Sequence, residues 1–173
     1  MIATDIIDAI GHTPLVEIAR LSPKPGVRFF AKLEGHNPAG SIKDRIAKCM
    51  VEKAEKTGTL TRDRIILEAT SGNTGIALAM IAKRKGYRIV VVMPDNMSVE
   101  RQQLLRIFGA EVVLSDGKKG TNGAIEVAWQ LARDDRYVML DQFGNPANPL
   151  AHYETTGPEI LADLPRVDVL VAG

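Results

Sequence analysis

The sequence predicts an α/β fold, a parallel sheet with helices on both faces, and three observations predict it. Short apolar, β-branched runs, such as Ile89-Val90-Val91-Val92-Met93, alternate with longer stretches of helical periodicity. Gly, Pro or Ser stands at most of the junctions between them. Strand–helix alternation of this kind is met by crossover connections, which pair strands in parallel and put helices on both faces of the sheet.

Taken in order, 15–18 and 28–33 read as short strands. Ser41 opens a helix, with Asp44 three positions on as a variant capping box; Ile42, Ile46, Met50 and Ala54 share one face, and Gly58 closes the segment. Strand 64–68 leads through Ser71-Gly72-Asn73-Thr74-Gly75 into helix 76–85, ended by Gly86. Strand 88–93 stops at Pro94, and Ser98 caps a helix to Phe108 with Glu100 in its first turn. Strand 111–114, helix 121–133 and strand 137–140 follow. Residues 142–149 read as an Asn/Pro-rich loop. A helix then runs to Leu164, bent near Gly157-Pro158, and 167–172 reads as a buried strand. A chain ending at Gly173, directly after a strand of a parallel sheet, looks truncated.

The 173 residues carry a net charge of +1 and are 45% apolar, the composition of a globular protein with a core. No basic run is longer than Lys83-Arg84-Lys85, so electrostatics give no reason to expect a nucleic-acid or membrane-surface partner. Cys49 is the only cysteine and makes no demand for an oxidising compartment. With no basic n-region and apolar core at the N-terminus, the cytoplasm is the expected location. His12, His36 and His152 are too scattered to suggest a metal site, Cys49 reads as packed, and Trp129 reads as core.

Three constellations could carry chemistry. In Asn37-Pro38-Ala39-Gly40-Ser41-Ile42-Lys43-Asp44-Arg45, Lys43 falls in a first helical turn, where the helix dipole favours an uncharged amine able to condense with an aldehyde. Spacing alone does not separate this from a solvated lysine. In Thr70-Ser71-Gly72-Asn73-Thr74-Gly75, glycines, hydroxyls and helix-start N–H groups suit a carboxylate. A capped, ligand-free connection has the same composition, and no Gly-Lys-Ser/Thr makes it a Walker loop. In Asp141-Gln142-Phe143-Gly144-Asn145-Pro146, after a strand, Gln142 could donate its amide to a carboxylate; a plain turn is the alternative.

Together and in this order, the three resemble the cysteine synthase (O-acetylserine sulfhydrylase) family, among the tryptophan-synthase-β-like, fold-type II pyridoxal-phosphate (PLP) enzymes. Gly11-His12-Thr13-Pro14-Leu15-Val16 resembles the family's N-terminal signature, with His12 where Asn is usual. Lys32-Leu33-Glu34, Met93-Pro94 through Ser98-Val99-Glu100-Arg101, and Asn148-Pro149 through His152-Tyr153 to Ile160 match as well. The wording of 93–98, and Ala39 before Gly40, lean to the B-type branch.

The resemblance implies PLP as cofactor and Lys43 as the Schiff-base lysine that moves the α-proton. It implies that Asn73 binds the cofactor's phenolic oxygen, and that Thr70, Ser71, Asn73, Thr74 and Gln142 bind the substrate. Asp44 and Arg45 are left as structural, a local ion pair. The implied reaction is β-replacement on O-acetylserine by sulfide or thiosulfate, in a homodimer. An O-phosphoserine- or homocysteine-using relative and a non-catalytic fragment or half of a split protein are the alternatives. The implied division is 1–40 in a larger PLP domain, 41–148 in a smaller α/β domain, and 149–173 returning to the larger domain. The family's phosphate-binding loop, and a later hydroxyl facing the pyridine nitrogen, would fall beyond Gly173.

Overall fold

The computed structural model describes residues 2–172; Met1 and Gly173, at the outer ends of the two expected large-domain segments, lie outside them. Strand β1 (Leu15–Glu17) pairs antiparallel with β2 (Phe30–Lys32), Val16 opposite Ala31, in a two-stranded sheet. Helix α1 (Lys43–Lys56) follows. Then come β3 (Ile65–Ala69), α2 (Asn73–Lys85), β4 (Arg88–Pro94), α3 (Val99–Ile107), β5 (Glu111–Ser115), α4 (Gly120–Leu131) and β6 (Tyr137–Met139). The chain continues through α5 (Ala147–Ala151), a π-helical turn (His152–Thr156) and α6 (Gly157–Asp163).

The second sheet is parallel, in the order β5-β4-β3-β6, with Leu67 facing Val90 on one side and Met139 on the other. Its strands are covered on both faces, which is why they read as continuous apolar runs rather than alternating ones. On one face Ile66, Val91, Met93 and Leu140 pack with Ile46, Met50, Leu78 and Ile81. On the other, Ile65, Leu67, Val90 and Val92 pack against Ala124 and Ala128 of α4. Glu68 interrupts the apolar run of β3 and is buried all the same.

Helices α1 and α2 pack together and run the same way. Glu55, near the end of α1, accepts from Lys85 at the end of α2 (2.7 Å) and from the Tyr87 hydroxyl beyond it (2.9 Å). Twelve residues separate Glu55 from Lys43, and twelve separate Lys85 from Asn73. At 1.5 Å of rise each, both helices start about 18 Å back from that tie, at one end of the layer. α2 stops at Gly86, whose φ of +77° suits glycine.

Several expectations are corrected. Segment 167–172 forms no strand: it pairs with nothing among the described residues, and Val169, Leu170 and Val171 are exposed. β-branched composition supplies propensity, whereas a strand exists only with a neighbour to bond. Trp129 is not core, being 55% exposed on the outer side of α4, because Ala124 and Ala128 are the residues that meet the sheet. Ser98 sits at the N-cap of α3 without making a capping bond. The loop 142–149 is shorter than expected, since α5 begins at Ala147. The following helix is interrupted by the π turn preceding Gly157 rather than at Pro158, which takes a first-turn position where its missing N–H is not needed. No helix among the described residues is long and apolar enough to cross a membrane.

Candidate active site

Lys43 is the first residue of α1 and is half-buried, its N–H bonded to Ser41 Oγ at 3.1 Å. So Ser41 acts as a local cap, although the helix proper begins two residues later than predicted. Asp44 Oδ2 accepts the Ala39 N–H at 2.6 Å and pins the preceding loop, while its buried Oδ1 has no partner. Burial raises the Asp44 carboxyl, and the Ala39 bond only partly offsets it. His152, from the turn after α5, is half-buried nearby, with Nδ1 3.0 Å from Thr156 Oγ1. Burial, then the charges of Lys43 and Arg45, lower its pKa, which argues for a neutral imidazole beside Lys43.

At the same end of the layer, β3 gives way to the turn that starts α2. Gly72 is the N-cap in an extended conformation and no side chain caps the helix; the Gly75 N–H turns back to the Gly72 carbonyl at 3.1 Å, and those of Asn73 and Thr74 are left without a side-chain cap. Thr70 is buried and its Oγ1 accepts the Gly72 N–H at 3.2 Å. Ser71 is half-buried, with its carbonyl bound by Arg101 at 2.7 Å, and Asn73 is exposed. Gly75 is required here: a Cβ would stand 2.9 Å from Thr70 Cγ2.

The Gln142 turn meets this one directly. Thr74 Oγ1 donates to Gln142 Oε1 at 2.7 Å, both side chains being buried. That bond fixes the amide orientation, with the oxygen turned to Thr74 and the NH2 turned away from it. The Gln142 carbonyl accepts from Asn148 Nδ2 at 2.8 Å. Asp141, before it, holds a left-handed φ of +51°, and its carbonyl accepts the Asn145 N–H at 2.9 Å. Two of the three predicted constellations are thus hydrogen-bonded to each other, and the Lys43 loop starts its helix at the same end.

Sequence reasoning gave no role to two features. The first is Glu68, the head of the 68–75 block that resembles the family's substrate loop, 1% exposed: Oε1 accepts the Gln142 N–H at 3.3 Å and Oε2 has no partner. Burial raises its pKa to about 7; the Gln142 N–H opposes the rise, the Asp141 charge adds to it, and the Asp141 N–H offsets a little of it. A lone Glu in an otherwise apolar strand was the signal available.

The second is a buried charge cluster around Arg45. The expected Asp44–Arg45 pair does not form. Instead the guanidinium grips two carboxylates bidentately: Glu34 from Nε (2.7 Å) and Nη2 (2.8 Å), and Glu159 from Nη1 (2.6 Å) and Nη2 (2.8 Å). Neighbours in sequence on a helix point apart, so Arg45 reaches other segments instead. Lys32 joins Glu159 at 2.8 Å, and Thr13 Oγ1 donates to Glu34 at 2.6 Å. His12, at a left-handed φ of +48°, gives its N–H to Glu159 at 3.0 Å. Asn and His are among the side chains that tolerate that conformation, in keeping with the Asn the resemblance leads one to expect here. Burial would raise Glu159, but the bonds from Arg45, Lys32 and His12 hold it well below the usual carboxylate range.

Of two grooves, about 640 and 300 Å³, one lies beside Trp129 on α4, away from these loops, and the other runs along α1 from Arg45 past Cys49, closed by Ala151 and Thr155. Cys49 is half-buried, and burial raises its thiol. Among the described residues, no group of three or more His, Cys, Asp or Glu could hold a metal ion.

Against known proteins, the pyridoxal-phosphate dependent enzyme family matches residues 6–173. Cysteine synthase B of Escherichia coli (strain K12) is 54% identical over 151 residues, 87% of this chain and 50% of the relative. Cysteine synthase of Haemophilus influenzae is 52% identical over 168 residues, 95% of this chain and 52% of the relative. Among solved structures, O-ureido-L-serine synthase superposes with a TM-score of 0.89 at 46% identity, over 94% of this chain and 51% of that one. The chain therefore spans about half the length of the curated relatives it matches. With sequence, fold and site turns in agreement, the chain belongs to the family of pyridoxal-phosphate dependent enzymes.

Proposed function

We propose that this chain carries the lysine and the substrate-carboxylate loops of a cysteine synthase. The enzyme would replace the acetate of O-acetyl-L-serine with sulfide to give L-cysteine, or with thiosulfate to give sulfocysteine. The observation that carries this reading is the Thr74–Gln142 bond, which joins two carboxylate-binding turns at the end of the layer where Lys43 begins α1.

The donor set fits PLP: a primary amine (Lys43) for the aldehyde carbon, and an exposed amide (Asn73) for the phenolic oxygen at the uncapped start of α2. When bound, the cofactor supplies an electron sink for the substrate Cα. Lys43 Nζ would hold the cofactor and, once released by the substrate amine, would take the proton from the substrate Cα. Thr70, Ser71, Asn73, Thr74 and the Gln142 amide hold the substrate carboxylate, which fixes the Cα–H toward Lys43. His152, neutral and beside Lys43, adds no competing charge.

The same reading divides the chain into 1–40, 41–148 and 149–173, which the separate two-stranded and four-stranded sheets support. It also implies a homodimer in the cytoplasm acting on small molecules. The likeness to O-ureido-L-serine synthase favours a second reading, a β-substituted serine with a different leaving group or nucleophile.

The test adds PLP to the purified chain and to Lys43→Ala and records visible spectra. A band given by the wild type and lost in the variant is expected. The same band in both would remove Lys43 from the reaction.

A further inference from the structure

The unpaired acid beneath the two turns has no part in the reaction as described. Glu68 lies on β3 with its side chain on the α1/α2 face of the sheet, alternating with Leu67 and Ala69 on the α4 face. One oxygen receives the backbone N–H of Gln142, and the other is enclosed with no donor. Gln142 in turn is fixed through its side chain to Thr74 and through its carbonyl to Asn148. Any change of charge on Glu68 therefore acts on the residue that faces a substrate carboxylate.

Among the described residues no cation acts on that charge: Lys43 heads α1 at this end of the layer without pairing with Glu68, and Lys48 is turned to the Ile7 carbonyl. Helix α2 carries no charged residue before Lys83, at its far end, and β4 none after Arg88. α5 has none. On α1, Asp44 is spent on Ala39 and Arg45 on Glu34 and Glu159. The charge that does act on Glu68 is Asp141, of the same sign.

We propose that Glu68 is a positioning residue that makes this carboxylate site pH-sensitive. Protonated, it accepts the Gln142 N–H without adding charge, and the two turns take a carboxylate. Ionised, it sets an unpaired negative charge in a low-dielectric interior directly under the site and opposes the incoming anion. The proposal rests on the reading of 70–74 and Gln142 as a carboxylate site, and it predicts substrate affinity that is high in mildly acidic solution and lost through neutrality.

The experiment uses the whole chain, 15N-labelled, without cofactor, and propionate as the probe. Propionate is titrated at pH 6 and pH 8.5 while the amides of Thr74 and Gln142 are followed by NMR, for the wild type, Glu68→Gln and His152→Gln. If only the protonated form binds, the apparent affinity of the wild type falls roughly 30-fold between the two pH values for a midpoint near 7. Glu68→Gln should bind equally at both, and His152→Gln should keep the wild-type fall. Should Glu68→Gln fail to fold, the side-chain carboxyl 13C signal of Glu68 in the wild type must titrate with the same midpoint as the propionate affinity. Binding that is equal at both pH values in the wild type, or a fall that persists in Glu68→Gln or vanishes in His152→Gln, overturns the proposal alone. Propionate that perturbs neither Thr74 nor Gln142 at any pH overturns the carboxylate site and the proposal with it.

Discussion

Glu159 and Glu68 are the same side chain in two interiors, and their proton affinities are driven in opposite directions. Glu159 meets Arg45, Lys32 and the His12 N–H and stays ionised. Glu68 meets only the weak backbone N–H groups of Gln142 and Asp141 and the like charge of Asp141, and its pKa rises to about 7. Burial pushes both carboxyls up; the partners decide the outcome. The Arg45 cluster joins Lys32 and Glu34 beside β2, α1 and Glu159 of α6, so its ion pairs hold distant segments together. Glu68 serves no such tie; it lies under the turn of Gln142, which is where the use proposed for it arises.

The largest effect should come from taking the cluster's centre away. Arg45→Met leaves Glu34 and Glu159 buried with Lys32 as their nearest cation, and removal of one partner from a buried pair costs about 3–5 kcal/mol. Urea unfolding at pH 7 measures it, and a loss under 1 kcal/mol would mean the cluster is wet. The variant should also change the acid limb. Burial raises Glu34 and Glu159, but their partners, Arg45 first, lower them further, so they stabilise the fold above the unfolded value of 4.5 and lose that contribution as the pH falls below it. Without Arg45 that dependence should shrink or reverse.

Next in size is the opposite limb. The folded pKa of Glu68 is raised, so its contribution is fully present below 4.5 and is lost as the pH climbs through about 7. Glu68→Gln cannot ionise and should escape that loss. At pH 8.5 it should exceed the wild type by about 3 kcal/mol at most, with the two equal near pH 4.5. Unfolding curves at the two pH values decide it, and a variant weaker than the wild type at pH 8.5 would show that the carboxylate finds partners.

The smallest effect sharpens the link between Glu68 and the site. Thr74→Val keeps the shape but removes the donor to Gln142 Oε1, at about 1–2 kcal/mol. With the Gln142 side chain released, water should reach Glu68 and lower its midpoint, read by 13C NMR of its carboxyl. An unchanged midpoint would mean that β3 alone buries it.

Much of the fold could be read in advance where local pattern and burial agree. β4 is apolar because both faces of its sheet are covered, and α2 ends where Gly86 allows a left-handed residue. The turns at 70–75 and 141–146 were visible as compositions, but their meeting through Thr74 and Gln142 was not, because 68 residues of chain separate them. Trp129 misled because its helix turns an alanine face to the sheet, and 167–172 misled because strand propensity does not supply a neighbour.

By itself the sequence determined the α/β alternation, the family resemblance and the residues offered to a cofactor and a carboxylate. These follow from periodicity, turn chemistry and motif order, all short-range along the chain. Only the tertiary structure decided that Arg45 serves Glu34 and Glu159 rather than Asp44, and that Glu68 is left without a cation. Charge pairing is set by distance and dielectric in space, and neither is written in the spacing of residues along a chain.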